Sequence, residues 1–287
     1  MLSWIIRYRV SFLLIAIILG LAILRLHNVN AFNPYDGYDG GGHIDYIFSL
    51  AKQGRFPNIK TNNLAWHEPL YYLLQAAALK PFLLFSLTLN RQLKILGIMQ
   101  TVYSLLAAAV IFFLARTTTR SLPVAALSTI TLSLLPPFSE ASTFITNELL
   151  SDLFIFCLLL LILRRFVERE PSLRDFLWLG ILTGLALLAK MTAIVVVGPM
   201  ILCFLWRARS AKIFRSWRSW SLLFAPMIGL FLPWFIYRST VILPGPSINN
   251  TLFMQPAPLI PDQTRLHFYT WFDTDIFRFP FWYSGGR

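Results

Sequence analysis

The chain has 287 residues, of which 56% are hydrophobic and 13% charged, and its mean hydropathy is +0.62. Soluble domains carry about 25% charged residues, so this composition excludes a soluble globular protein and is typical of a polytopic membrane protein. The net charge of +12 does not indicate nucleic-acid binding. The basic residues separate apolar runs and do not interleave with aromatic residues on a polar surface.

The apolar runs predict the transmembrane helices. In chain order, single crossings are predicted at roughly 10–26, 95–115, 122–137, 149–163 and 221–237. The cysteines, Cys157 and Cys203, both lie inside apolar runs, so neither a disulfide framework nor a thiolate metal site is predicted.

The first apolar run has two interpretations. Arg7 and Arg9 precede it and "VNA" follows it at 29–31, which also resembles a signal peptide with its cleavage site. We favour an uncleaved first span, because further spans follow and the loop after this run carries candidate chemistry.

Two further runs fit the charge distribution only if neither is a single crossing. With one crossing each, the basic clusters "RRFVEREPSLR" and "RARSAKIFRSWR" would lie on opposite sides of the membrane. We therefore predict that 69–85, which begins with a proline and contains Gln75 and Lys80, is a helix on the membrane surface. The run 176–206 is predicted to be a hairpin with both basic flanks in the cytoplasm.

These assignments predict seven spans, with a cytoplasmic N-terminus and the tail from about 239 outside. The fold class is an all-α integral membrane protein whose outer first loop, 27–94, contains surface helices. Residues 1–240 form the membrane module and 241–287 an extracytoplasmic tail. About 15 residues per arm of the hairpin rise about 22 Å, short of a full crossing. Lys190 at its tip should therefore face a hydrated cavity or a partner, or extend to the outer headgroups.

The first outer loop carries "YDGYDGGGHIDY", with Asp36 and Asp39 among glycines and His43 opening a helical stretch. Glycine lets the backbone approach a ligand closely. A carboxylate at the membrane surface could act as a general base toward a hydroxyl or amine. The alternative is an ordinary Asp-Gly turn.

Two more acidic motifs lie on the same predicted side. "HEPLYY" places His67 and Glu68 before the surface helix, and Tyr71 and Tyr72 are expected to be interfacial aromatic anchors. "FITNELLSDLF" opens the fourth span. There Glu148 and Asp152, four residues apart, share a helix face and could hold a divalent cation or position an acceptor. Alternatively, Glu148 in the first turn could serve only to stabilise the helix through its interaction with the helix dipole.

Four stretches, in this order, resemble the GT-C superfamily of lipid-linked glycosyltransferases: "YDGGGHIDYIFSLAKQGRFP", "HEPLYYLLQA", "ITNELLSDLF" and "GLALLAKMTA". The nearest groups are the dolichyl-phosphate-mannose–protein mannosyltransferases and aminoarabinose transferases, of the family 39 type. The resemblance covers residues 1 to about 240. Gly40 follows Asp39 where the family often has Asp-Glu, and Glu68 replaces a proline. Family members continue with further helices or an outer domain, so the chain is expected to be C-terminally truncated.

The resemblance implies inverting transfer of a sugar from a polyprenyl phosphate, with Asp39 as the base by motif position and Asp36 as its neighbour. The phosphate needs cationic partners, for which Lys190 is the first candidate and Arg91 the second. The residues expected to bind substrate are His43, His67, Glu68, Arg91 and Lys190. Glu148 and Asp152 are expected to contact the acceptor or a metal ion.

No cofactor is certain from the sequence, although a divalent metal ion would fit the carboxylates. The expected partners are the lipid-linked donor, a lipid, glycan or protein acceptor, and the bilayer, with a bacterial plasma membrane as the location. The alternatives left open are a non-catalytic truncated homologue, a transporter or lipid-carrier-binding subunit, and a phosphatase or ligase acting on the same carrier.

Overall fold

The computed structural model describes residues 2–37, 39–59, 61–168, 171–209 and 216–242, which form helices, turns and loops without a β-strand. The all-α membrane fold predicted from the sequence is confirmed. The predicted tail, 241–287, lies almost wholly outside the described residues.

The described residues form ten α-helices. They are α1 (Leu2–Ala31), α2 (Gly40–Phe48), α3 (Leu70–Leu79), α4 (Leu89–Thr119), α5 (Leu122–Leu134), α6 (Pro136–Ala141), α7 (Glu148–Glu168), α8 (Leu173–Ala189), α9 (Ile194–Ala208) and α10 (Trp217–Tyr237). Short turns extend several of them, of 3-10 type at Pro34–Asp36, Lys80–Phe85 and Met191–Ala193, and of π type at Ser49–Gln53 and Arg238–Ile242.

Three described segments are long and apolar enough to cross a membrane: Val10–Ala31, Leu89–Thr119 and Trp217–Ile242. Shorter apolar helices lie at Leu70–Phe85, Leu122–Leu134 and Met191–Trp206. The run 69–85, predicted to be a surface helix, is thus one of the shorter apolar helices, in which α3 ends at Leu79 and a 3-10 turn follows.

The long helices of the bundle run between two ends. We call the end that carries residues 32–88 the loop end, and the opposite end, with Arg164 and Arg165, the basic end. Val29 near the end of α1 packs against Gly97 near the start of α4, so these helices are antiparallel. The guanidinium of Arg164 lies over the ring of Phe113, 5.7 Å from its centroid, so α7 runs parallel to α4.

The predicted hairpin is present. Phe176 near the start of α8 and Phe204 near the end of α9 have ring centroids 5.4 Å apart, so the chain folds back on itself. Lys190 has an extended backbone between α8 and the 3-10 turn, which breaks the helix at this point. The start of α8 and the end of α9 therefore lie at one end of the bundle and Lys190 lies at the other. Most of the second basic flank, 210–215, lies outside the described residues.

Ion pairing and close packing fix the hairpin between its neighbours. At the basic end, Arg165 of α7 contacts Asp175 of α8 at 2.7 Å, and Asp175 also forms a capping box with Ser172. Along α8, a Cβ at Gly184 would lie 2.9 Å from Leu230, so glycine permits the close approach of α10. Beyond the end of α10, the Arg238 guanidinium contacts Sδ of Met191, the residue after Lys190, at 3.5 Å.

The surface-helix segment differs from the prediction in one respect. Tyr71 and Tyr72 are wholly buried, so the prediction that they are interfacial anchors is wrong. The opposite face of α3 carries the exposed side chains Leu73 and Leu74. Their hydroxyl groups have polar partners inside the protein: that of Tyr72 lies between His43 and His67, and that of Tyr71 accepts a hydrogen bond from the Gln75 side chain at 3.2 Å.

Cysteine labelling can test which end faces outward. We expect a membrane-impermeant thiol reagent on intact cells to label Asn90→Cys at the loop end and not Ser172→Cys at the basic end. Both positions are exposed, and the background would lack Cys157 and Cys203. The reason is the positive-inside bias of the basic end. Labelling of Ser172→Cys alone would invert the predicted orientation.

Candidate active site

Asp39 occupies the N-cap position of α2 with a left-handed backbone, φ 57°. Aspartate tolerates this region better than most non-glycine residues. Its carbonyl oxygen accepts a hydrogen bond from the backbone N–H of His43 at 3.1 Å, but its side chain makes no capping bond. The residue is exposed, and partial desolvation raises the pKa of its carboxyl group. The carboxylate is therefore exposed at the start of α2 and is not used to cap the helix.

The three glycines after Asp39 form the first turn of α2, so the helix begins at Gly40 and not at His43 as predicted. Two of these positions favour glycine because neighbouring atoms lie too close for a side chain. A Cβ at Gly40 would lie 2.9 Å from the carbonyl oxygen of Pro34, and one at Gly42 would lie 2.9 Å from Leu64. The glycines therefore fix the loop against α2. Asp36 lies in the preceding 3-10 turn, Pro34–Asp36.

A buried tyrosine joins two histidines one helical turn below Asp39. The Tyr72 hydroxyl lies 2.8 Å from Nδ1 of His43 and 3.3 Å from Nδ1 of His67. The ring of Tyr46 stacks on that of Tyr72 with centroids 3.7 Å apart. Burial lowers the pKa of both histidines to about 3, and the positive charge of Lys190 adds to this effect. Both imidazoles are therefore neutral near pH 7.

Glu68 forms a buried ion pair with a residue 170 positions away. Its Oε1 lies 3.4 Å from Nη1 of Arg238, and their side chains are 4% and 2% exposed. The Arg238 guanidinium also lies over the ring of Trp66, 5.0 Å from its centroid. Burial raises the pKa of Glu68, while Arg238 and backbone N–H groups, including that of Met191, oppose the shift. This pair ties the first loop to α10 and the hairpin tip.

Lys190 and Glu148 form an ion pair at the loop end. Asn147 reinforces the junction, because its side-chain amide donates to the carbonyl oxygen of Ala189 at 3.2 Å. Asp152 lies one turn further along α7 and is partly buried. Among the described residues, no group of three or more His, Cys, Asp or Glu side chains could hold a metal ion.

Electrostatic coupling places these groups in one cluster. The positive charge of Lys190 contributes to the lowered pKa values of His43 and His67. Burial is the main cause of the raised pKa of Tyr72, and the negative charge of Asp39 adds to it. We call this set the loop-end cluster; it comprises Asp39, His43, Tyr46, His67, Glu68, Tyr72, Glu148, Asp152, Lys190 and Arg238.

One predicted site residue lies elsewhere. Arg91 is exposed in the first turn of α4, and none of the contacts that build the loop-end cluster involves it. Sequence reasoning in turn gave no role to Tyr46 or Arg238. For Arg238, the available signal was an arginine directly after the apolar run 221–237, which by itself is equally typical of a headgroup contact.

The neutral histidines predict acid sensitivity. Burial lowers the pKa of His43 from 6.5 in the unfolded chain to about 3 in the folded protein. The contribution of the neutral imidazole to stability is therefore complete above pH 6.5 and is lost as the pH falls toward 3. We expect the free energy of unfolding in detergent to fall between pH 7 and pH 5, by up to about 1.4 kcal/mol per pH unit for His43, and the melting temperature to fall with it. His43→Gln should flatten this profile.

The matched control is His27→Gln, because His27 is exposed on α1. This variant should keep the wild-type pH profile. An unchanged slope in His43→Gln, or the same flattening in His27→Gln, would contradict a buried neutral imidazole at position 43.

Comparison with known sequences identifies the family. The sequence model of the dolichyl-phosphate-mannose-protein mannosyltransferase family matches residues 70–237, from α3 to the end of α10. No curated protein and no solved structure matches the chain. The matched segment includes Glu148 and Lys190, whereas Asp39 and His43 precede it. Because the match covers more than half of the chain, the protein belongs to the dolichyl-phosphate-mannose–protein mannosyltransferase family of membrane glycosyltransferases.

Proposed function

We propose that the protein transfers a sugar from a polyprenyl-phosphate carrier to an acceptor hydroxyl or amine at the extracytoplasmic membrane surface, with inversion at the anomeric carbon. The acceptor oxygen or nitrogen forms the new bond to the anomeric carbon. The bond from that carbon to the phosphate oxygen breaks, and its electrons stay on the departing phosphate. The acceptor proton passes to a carboxylate. The observation that carries this proposal is the convergence of Asp39 and Lys190 at one end of the bundle.

Asp39 is the proposed base. Its carboxylate is exposed and is not used in capping α2, so it can reach a ligand. Partial burial raises its pKa above the ordinary aspartate value, which makes the carboxylate a better proton acceptor. The family match begins at residue 70, so this role rests on the resemblance of the first loop and on the geometry of the cluster.

Lys190 is the proposed partner of the donor phosphate. Its side chain is one-quarter exposed, and its ammonium group is paired with the more exposed Glu148. A phosphate can share the ammonium group with Glu148, because lysine carries three donor hydrogens. In this arrangement Glu148 positions Lys190, and Asp152 lies one turn along the same helix for contact with the acceptor or a metal ion.

The histidines are proposed to bind sugar hydroxyls. Tyr72 has one hydroxyl proton, so it donates to one neutral histidine and accepts from the other. The histidine that accepts from Tyr72 at Nδ1 carries its own proton on Nε2. The histidine that donates to Tyr72 from Nδ1 has an unprotonated Nε2, which can accept a hydrogen bond. The pair therefore offers one donor and one acceptor whichever way the Tyr72 proton points. Sugar hydroxyls both donate and accept, which suits this pair.

Transfer from a radiolabelled polyprenyl-phosphate sugar pool by the purified protein tests the proposal, with and without a chelator. Incorporation of label into an acceptor supports transfer. A metal ion at Glu148 and Asp152 predicts that the chelator lowers the rate. Donor binding without transfer would favour a non-catalytic lipid-carrier-binding protein.

Substitution of Lys190 by methionine should weaken donor binding by roughly ten- to a hundredfold, because one charge-assisted hydrogen bond to phosphate is lost. Lys190→Arg keeps the charge and should retain most of the affinity. Equilibrium binding of a labelled donor to both variants measures this. Equal donor affinity in wild type and Lys190→Met would remove Lys190 from the site.

A further inference from the structure

An open notch lies outside the loop-end cluster, between the π turn after α2, the 3-10 turn after α3 and the first turn of α4. It is lined by Ala51, Lys52, Lys80, Leu83, Leu84 and Gln92. We propose that this notch binds the headgroup of an anionic glycerophospholipid, with Lys52 and Lys80 holding the phosphate and Gln92 accepting a hydrogen bond from a headgroup hydroxyl.

The charge of the notch favours an anion. Lys52 and Lys80 are both exposed, and neither takes part in an ion pair of the described residues. The ammonium group of Lys52 lies 4.2 Å from the ring centroid of Phe48, which holds its side chain across the π turn. No acidic side chain lines the notch. Two uncompensated lysines therefore face the same opening.

Gln92 adds an independent polar signal. The residue is only 9% exposed, and its Nε2 donates to the carbonyl oxygen of Leu87 at 2.7 Å. Its Oε1 is buried without a hydrogen-bond partner among the described residues, although the side chain lines the notch. A buried acceptor without a partner is costly, so a donor from a ligand would stabilise it.

The surroundings favour a lipid over a free anion. Leu84 and Phe85 of the 3-10 turn are 85% and 70% exposed, and Phe82 is also exposed. In a membrane protein such side chains lie among acyl chains near the headgroups. A ligand with a phosphate at the lysines would thus place its chains beside these residues.

The donor requirement narrows the headgroup. A choline headgroup has no hydrogen-bond donor for Gln92, and an ethanolamine ammonium would be repelled by the two lysines. A phosphatidylglycerol-type headgroup carries a negative phosphate and neutral hydroxyl groups. It therefore satisfies Lys52, Lys80 and Gln92 together.

Native mass spectrometry of the detergent-purified protein tests this site, by titration with phosphatidylglycerol and phosphatidylcholine of identical acyl chains. We expect wild type to prefer phosphatidylglycerol. Lys52→Gln and Lys80→Gln should each lower that affinity about fivefold, and the double variant about 25-fold. Arg55→Gln is the matched control, because Arg55 is an exposed cation of the same loop outside the notch. It should change the affinity less than twofold.

The variant Gln92→Leu tests the contact with the headgroup hydroxyl separately from the contacts of the two lysines with the phosphate. It should weaken binding of phosphatidylglycerol but not of phosphatidic acid, which has no headgroup alcohol. Retained phosphatidic acid binding also shows that this variant is folded.

Three results would overturn the proposal. They are equal phosphatidylglycerol affinity in wild type and the double-lysine variant, an equal loss in Arg55→Gln, and competition by polyprenyl phosphate that depends on the same lysines. The last result would assign the notch to the sugar carrier.

Discussion

Replacement of Asp39 by asparagine should lower turnover by about 10²–10⁴-fold, the usual contribution of a general base, while donor affinity is kept. Asparagine has nearly the same shape and tolerates the left-handed backbone at this position, so the fold of the turn should survive. It cannot accept the acceptor's proton at neutral pH. The measurement is turnover under saturating donor, together with donor affinity from equilibrium binding.

Two variants serve as comparisons. Asp45→Asn is the matched control, because Asp45 is an exposed carboxylate on the same helix and is not part of the loop-end cluster. Its turnover should equal that of wild type. Asp36→Asn should be milder than Asp39→Asn, since Asp36 lies at the end of the 3-10 turn Pro34–Asp36, three residues before the N-cap of α2. Near wild-type turnover in Asp39→Asn would exclude Asp39 as the base.

Replacement of Arg238 by methionine should destabilise the protein by about 3–5 kcal/mol, because Glu68 would remain buried without its cation. Both side chains are shielded from water, so the loss of one charged partner should destabilise the protein more than the loss of both. The double variant Glu68→Leu with Arg238→Met should therefore recover much of the loss. Thermal unfolding in detergent measures all three proteins.

The control for the second experiment is Arg55→Met, which removes an exposed arginine at the same end of the bundle. Its melting temperature should stay close to that of wild type. Additive losses in the double variant would show that Glu68 and Arg238 do not stabilise each other. A recovered melting temperature without recovered transfer would show that the pair also positions the first loop for activity.

The membrane class and the positions of the long helices could be predicted from the sequence. Apolar runs predict helices directly, because a lipid environment leaves the backbone few other ways to satisfy its hydrogen bonds. The sequence also predicts the hairpin. Both flanks of the run 176–206 are basic, and each arm beside Lys190 is too short to cross the membrane, so the chain is expected to return to the side from which it entered. Phe176 beside Phe204 confirms that turn.

The candidate site was predicted only in part. Asp39, Glu148 and Lys190 stand in short motifs, so their residue types and spacing could be recognised from the sequence. The pairing of Lys190 with Glu148 joins positions 42 residues apart, and no local pattern specifies it. The glycines after Asp39 were predicted as a loop, because their packing against Pro34 and Leu64 is invisible in the local sequence.

The polar groups that are buried together could be identified only from the three-dimensional structure. Tyr72 reads as an interfacial anchor in the sequence, yet it joins His43 and His67 inside the loop end. Arg238 reads as a headgroup contact, yet it is paired with Glu68. The physical reason is that local sequence sets helix formation and hydrophobicity, whereas the partner of a buried polar group depends on which helices meet, and that is fixed by contacts between distant parts of the chain.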